Sequence, residues 1–278
     1  MSDPAQQTIT PRHPDFTFDD NLPLNWHPAG PAVTQFYNAL SLSFPEGERF
    51  FVDAVKHYRN QITDPQLLKD VRGFAGQEAI HSNEHVSFNK WLDSKGLKTK
   101  PIERAVRMGP AVTFRWLPHK YQLALTCALE HFTALFAEQI LSNPEALGDA
   151  PQVLKDIWTW HALEESEHKA VAFDVYATLF PGWRGYIARS VTMAIMTVDF
   201  TFATLLGQTY LMYQAGDLWN GKAWRDGFKY QMGTPGIWRK VMGGIPEYFK
   251  PSFHPNDRST DELTTKWRAW YAQTLQAN

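Results

Sequence analysis

The sequence predicts an all-α fold, on three observations. Apolar residues recur at helical spacing, proline and glycine punctuation falls every 25 to 30 residues or so, and no stretch alternates as a strand would. Residues 1–40 carry Pro4, Pro11, Pro14, Pro23, Pro28 and Pro31 and show little helical period, which predicts an irregular arm laid over the surface. Ser43 and Pro45 ahead of EGERFFVDAVKHYRNQ read as a cap followed by a first-turn proline, so a first helix is expected from about residue 44 to 63. Asp64-Pro65 repeats that signal for a second helix, which runs to about Ser94 and is closed by Gly96.

The next segment, GLKTKPIERAVRMGPAVTFRWLP, is longer than adjacent helices require and predicts a crossover. A third helix is expected from about Pro118 to Leu141 and a fourth from about Pro151 to Phe180, with a turn at Ser142-Asn143-Pro144 and Gly148-Asp149 and a stop at Pro181-Gly182. Two helical hairpins joined by one long crossover result. A fifth helical stretch over 184–214 and short Gly- and Trp-rich segments complete the chain. The expected organisation is one domain over 1–278: an arm (1–40), a four-helix bundle (44–181) and a C-terminal helical extension (182–278).

Composition narrows the function. With 44% hydrophobic and 14% aromatic residues in 278, the chain can bury a large core. Lys and Arg number 27 against 29 Asp and Glu, and a net charge of −2 creates no field that would gather nucleic acid, so none is expected as a partner. The single cysteine, Cys127, excludes an internal disulfide and a thiolate-rich metal site, leaving oxygen and nitrogen ligands for any metal. The N-terminus lacks a basic segment followed by an apolar run, so a cytoplasmic location is expected. The most apolar stretch, 190–213, is interrupted by Asp199 and by scattered Thr and Gln; it reads as a buried or partly exposed helix, and membrane association is not expected. A homodimer is compatible with all of this.

The chemistry is carried by two Glu-x-x-His pairs, Glu78/His81 and Glu165/His168, each on a predicted helix where a three-residue step keeps both side chains on one face. Helical bundles that bind two metals combine two such pairs with one Glu from each of two further helices. Glu48 lies 30 residues before Glu78 and Glu130 lies 35 before Glu165, and each interval is split nearly in half by a turn. Folding each hairpin therefore sets a Glu level with a Glu-x-x-His, which is the ferritin-like dinuclear carboxylate arrangement. The expected ligands are Glu48, Glu78, His81, Glu130, Glu165 and His168, with His161, on the same stripe as Glu165 and His168, as a seventh ligand; the competing reading makes His161 an orienting or core residue. His85, four residues after His81, is read as a supporting or pocket residue. Most of Glu84, Glu138, Glu164, Glu167 and His131 are expected to be ordinary, Glu138 being the closest rival to Glu130. No catalytic residue beyond the metal ligands is expected.

Given these residues, GQEAIHSNEHVSFNKWL, ALEHFTALFAEQIL and WHALEESEHKAVAFDVY resemble the signature segments of a bacterial family called predicted metal-dependent hydrolases, over about residues 40–255. The ligand pattern is similar to that of dinuclear iron oxygenases, and His161-x-x-x-Glu165-x-x-His168 resembles arylamine N-oxygenases, in which the first histidine is an additional iron ligand. That resemblance implies that Glu48, Glu78, His81, Glu130, His161, Glu165 and His168 are all ligands; it carries over no amine substrate. The C-terminal third, with Tyr248-Phe249 and Phe253-His254-Pro255, resembles the hydrolase-named family alone.

Hard oxygen ligands with some imidazole favour two iron ions, with Fe/Mn or Mn/Mn as alternatives. The leading expectation is an oxidase or oxygenase that uses dioxygen, and an electron donor the sequence does not identify, to oxidise a small apolar or aromatic substrate. The alternatives are hydrolysis by a metal-bound hydroxide and non-catalytic iron binding.

Overall fold

A computed structural model describes residues 9–108 and 116–275, and among them every regular element is helical. The first helix, α1 (Pro31–His57), begins thirteen residues or so before the expected start. Gly30 opens it at φ 98° and Pro31 takes the first turn, where its missing N–H costs nothing. The irregular arm therefore ends at Gly30, not at residue 40. Two physical reasons explain the discrepancy. Residues 32–42 are buried on all sides, so no polar face marks them as helical. Pro45 also lies inside the helix, which normally breaks one, but its loss is made good by the neighbouring helix. The Ser41 carbonyl that Pro45 cannot satisfy accepts a hydrogen bond from Asn89 Nδ2 at 3.2 Å, and the Pro45 carbonyl accepts from Ser82 Oγ at 3.2 Å.

Both donors lie on α2 (Pro65–Ser94), whose Asp64 cap accepts from Gln66 N and whose end at Gly96 (φ 90°) matches the expectation. α2 packs along α1 as the first hairpin. The crossover contains a short helix, α3 (Lys100–Met108), that the sequence reading left out; its remaining residues 109–115 lie outside the described residues. The second hairpin pairs α4 (His119–Ser142) with α5 (Gln152–His168). The expected fourth helix to Phe180 is interrupted at Lys169-Ala170 and resumes as α6 (Val171–Leu179). Lys169 is buried there and donates to Thr260 Oγ1 (3.0 Å) and the Arg258 carbonyl. The interruption is thus where the C-terminal segment is tied to the bundle.

α7 (Trp183–Gln214) packs against α1 and α4. It is long and apolar enough to cross a membrane, and only 22% of its most apolar 18 residues are buried. Its outer face exposes Ile187, Val191, Ile195, Val198, Phe202 and Leu206. Beyond it come α8 (Gly221–Phe228), a π-helical turn (Lys229–Gly233), α9 (Ile237–Gly244) and α10 (Asp261–Thr274).

The arm is held close to the bundle by two glycines. A Cβ at Gly73 would lie 2.5 Å from the Ile9 carbonyl oxygen, and one at Gly76 would lie 2.5 Å from Pro11 Cγ. Any other residue on that face of α2 would push the arm outward, and with it Arg12.

A buried carboxylate and imidazole centre between two hairpins

All seven residues singled out from the sequence converge between the hairpins. α1 supplies Glu48, α2 supplies Glu78 and His81, α4 supplies Glu130, and α5 supplies His161, Glu165 and His168; none is more than 4% exposed. Their candidate ligand atoms form three sets within which all atoms lie within 4.8 Å: Glu48/His81/His161, Glu78/His81/Glu165 and Glu78/Glu130/His168. Glu48, His81 and His161 thus gather at one end, Glu130 and His168 at the other, with Glu78 and Glu165 between. Atoms bound to one ion at about 2.1 Å can be about 4.2 Å apart, so sub-ångström side-chain shifts suffice to close each set.

The donor set fits metal ions, and it fits little else. Both oxygens of Glu48, Glu78 and Glu130, Glu165 Oε2, His81 Nδ1 and His168 Nε2 are buried without a hydrogen-bonding partner among the described residues. Each such atom costs on the order of 1–3 kcal/mol unless something compensates it. The convergence of these atoms forms sites that could hold metal ions.

The imidazoles are aimed by a lattice of partners, and their tautomers follow from it. Asn89, having given its N–H to the Ser41 carbonyl, turns Oδ1 to accept from Ser41 Oγ at 2.7 Å. Ser41 Oγ then accepts from His85 Nδ1 at 2.8 Å, which leaves His85 Nε2 to accept from His161 Nδ1 at 2.8 Å. His161 Nε2 consequently carries a lone pair, and it faces Glu165 Oε1 at 3.1 Å. Two acceptors at that distance repel unless a cation lies beside them. His85 thus supports His161, as the sequence reading held, and the chain of contacts begins at the carbonyl freed by Pro45. Burial and the neighbouring His81 hold His161 down to about 4, and burial with His161 holds His85 well below the ordinary histidine range, so both stay neutral.

The other two histidines are held crosswise. His81 Nε2 donates to Glu164 Oε2 at 3.0 Å, and His168 Nδ1 donates to Gln77 Oε1 at 2.9 Å. The residue just before each Glu-x-x-His glutamate therefore orients the histidine of the opposite pair. Glu164 and Glu167 fall in the group expected to be mostly ordinary; the structure corrects that for both. Glu164 Oε1 accepts from Arg12 N (3.1 Å) and Arg12 Nη1 (3.0 Å). Glu167 receives Arg12 in a two-pronged contact, with Gln77 Nε2 at 3.0 Å and Arg268 alongside. Sequence reasoning missed Gln77, Glu164, Glu167, Ser41, Asn89 and Arg12 as working residues. The only signal was adjacency, since Gln77-Glu78 and Glu164-Glu165 place a polar side chain one step round the helix from a ligand. Nothing in the sequence pointed to Arg12.

Glu84 and His131 take no part in the centre. Glu138 is likewise excluded, being paired with Arg258 near the C-terminal end of α4. The charge pattern is uneven. Burial and then Glu78 push Glu48 well above the usual carboxylate range, and burial does the same to Glu130. Burial would also raise Glu165, but His168 above all, with His81, outweighs it and holds Glu165 well below that range. Burial lowers His81, yet the carboxylates of Glu164 and Glu165, toward which its ring nitrogens point, bring it up to about 10. The carboxylate on His81 makes that imidazole a stronger donor than His168, which leans on a neutral amide, so the two ends differ electronically.

This support has a measurable consequence. Gln77→Leu keeps every ligand but frees the His168 ring, and a 10- to 100-fold loss of metal affinity is expected, as for other outer-shell partners of metal-bound histidines. Competition with a chelator measures it; unchanged affinity would mean the Gln77 contact does not orient the ligand.

Beside the centre, a cavity of about 30 Å³ touches Glu165 and His161 and is otherwise walled mainly by Leu40, Phe44, Phe136, Trp158 and Phe200. No match was found among curated proteins or among solved structures. Residues 10–259 match a family described as predicted metal-dependent hydrolase. With that match covering most of the chain and a buried Glu/His cluster able to hold metal at its heart, the protein belongs to the family of predicted metal-dependent hydrolases.

Proposed function

We propose that the centre binds two iron ions through Glu48, Glu78, His81, Glu130, His161, Glu165 and His168, and uses dioxygen to oxidise an apolar or aromatic organic molecule. The observation that carries this reading is four buried carboxylates with three imidazoles, their unpartnered atoms converging beside an apolar cavity. Hard oxygen donors leavened by nitrogen suit iron or manganese, and a dinuclear set of this make-up on a bundle is the carboxylate-bridged arrangement. When bound, the metals supply the electron transfer that activates dioxygen.

The chain's own residues do the rest. Glu78 and Glu165 hold the two positions together, and Glu164 and Gln77 fix the rings of His81 and His168. Phe44, Trp158 and Phe200 exclude water from the face where the substrate would react. One oxygen atom enters the substrate and the other leaves as water, so two electrons and two protons come from a donor outside this chain. His161, aimed by His85, serves as the seventh ligand in the manner of arylamine N-oxygenases.

A second reading, hydrolysis, is favoured by the family description. There the metals would act as Lewis acids toward a carbonyl or phosphoryl group and activate water, with no change of oxidation state. Anaerobic loading with ferrous iron followed by dioxygen separates the two. A transient visible absorption band, abolished by zinc substitution and shortened in lifetime by His161→Ala, is expected. No band, together with ester hydrolysis by the zinc protein without air, would give the site to hydrolysis.

A further inference from the structure

A further apolar cavity lies apart from the metal centre. It has a volume of about 420 Å³, within the usual range for small-molecule sites, and lies between α1, α7, α8 and α9, walled chiefly by Phe36, Leu205, Trp224, Phe228, Met232 and Trp238. Gly227 makes it possible by letting α8 rest on α1, since a Cβ there would be 2.7 Å from Ala32 Cβ. One side chain breaks its apolar character. Gln231, set in the π-helical turn, lines the cavity, and both its amide nitrogen and its amide oxygen are buried with no hydrogen-bonding partner among the described residues. Single π turns are commonly found at functional sites. An orphaned carboxamide in an apolar cavity calls for a group that can both donate and accept.

Aromatic rings that line this cavity pack directly on rings that line the small one beside Glu165. Phe36 and Trp238 face the large cavity, and Phe136 and Phe200 face the small one. Phe36 and Phe136 lie 5.9 Å apart, Phe136 and Trp238 5.7 Å, and Phe200 stacks on Trp238 at 6.4 Å. These four rings are in mutual contact, so rotation of their side chains is the route by which the two spaces would join.

We propose that this cavity binds the substrate: an apolar chain or ring system whose hydroxyl or amide group is held by Gln231 and whose apolar end passes between Phe36, Phe136, Phe200 and Trp238 to reach Glu165 and His161. The proposal rests on the oxidative reading above for its choice of which end reacts. The polar group is the anchor, and the apolar end meets the metals. That orientation suits oxidation of an unactivated carbon and is wrong for hydrolysis, which needs the polar group at the metals.

The test uses 1-octanol and n-octane as probes with the full chain. Binding to the metal-free protein is read by saturation-transfer NMR, and orientation by paramagnetic broadening of ¹³C-labelled octanol in manganese-loaded protein. Saturable octanol binding is expected, weakened at least tenfold by Thr201→Trp, which fills the cavity. Gln231→Leu should weaken octanol two- to tenfold, the worth of one ordinary hydrogen bond, and leave octane unchanged. The methyl carbon should broaden more than the carbinol carbon. Octanol binding that is equal in all three proteins, or a carbinol carbon broadened more than the methyl, would overturn the proposal. Neither readout involves dioxygen, so failure here is distinct from failure of the oxidative reading; Thr201→Trp should retain wild-type metal content, and Gln231→Leu keeps the test informative if Thr201→Trp folds poorly.

Discussion

Glu130→Ala is expected to lower the metal content from about two ions per chain to about one or fewer, whereas Glu138→Ala leaves it unchanged. The two glutamates lie eight residues apart on α4, so residue type does not separate them. Position does. Glu130 is 1% exposed, unpartnered at both oxygens and grouped with Glu78 and His168. Glu138 answers Arg258, which also holds Glu247. Without Glu130, the position it shares with His168 would keep that histidine and only the carboxylates of Glu78 and Glu165, which would also serve the other position. Elemental analysis after anaerobic ferrous loading distinguishes the variants, and equal losses in both would show that the α4 register is wrong.

Metal loading should raise the thermal midpoint by on the order of 15 °C, and Glu78→Gln should remove most of that gain without lowering the midpoint of the metal-free protein. Each ion held a thousandfold above its dissociation constant contributes about 4 kcal/mol, and a chain of this size gains about 2 °C or more per kcal/mol. In the metal-free protein burial disfavours the charged forms of Glu48, Glu78 and Glu130, and the nearby histidines offset this only in part. Replacing the central one by a neutral amide of the same shape relieves part of that burden, yet it removes the ligand that both ion positions share. Differential scanning calorimetry with and without metal reads both effects. A large fall in the metal-free midpoint of Glu78→Gln would mean that Glu78 stabilises the fold by contacts other than those to metal.

The convergence of these side chains could be read from the sequence because helical spacing and hairpin length are enough to align Glu48 with Glu78-x-x-His81, and Glu130 with Glu165-x-x-His168. What could not be read depends on contacts between residues far apart in the chain. Pro45 marks a helix start by every local rule, and only Asn89 and Ser82, some forty residues on, make it a tolerable interior position. Lys169 gives no local reason for a break; its partners are Arg258 and Thr260. Arg12 sits in a proline-rich arm with no periodicity, and its role depends on Gly73 and Gly76 admitting the arm to the bundle. The segment 190–213 was expected to be a buried or partly exposed helix, and α7 exposes an apolar face.

The account stands most directly on how many metal ions the intact chain holds. Protein stripped with chelator, loaded anaerobically with ferrous iron, freed of excess and analysed for metal should contain about two ions per chain, as two Glu-x-x-His pairs with two further carboxylates require. A content near zero after loading, or a single tightly held zinc that iron does not displace, would contradict it.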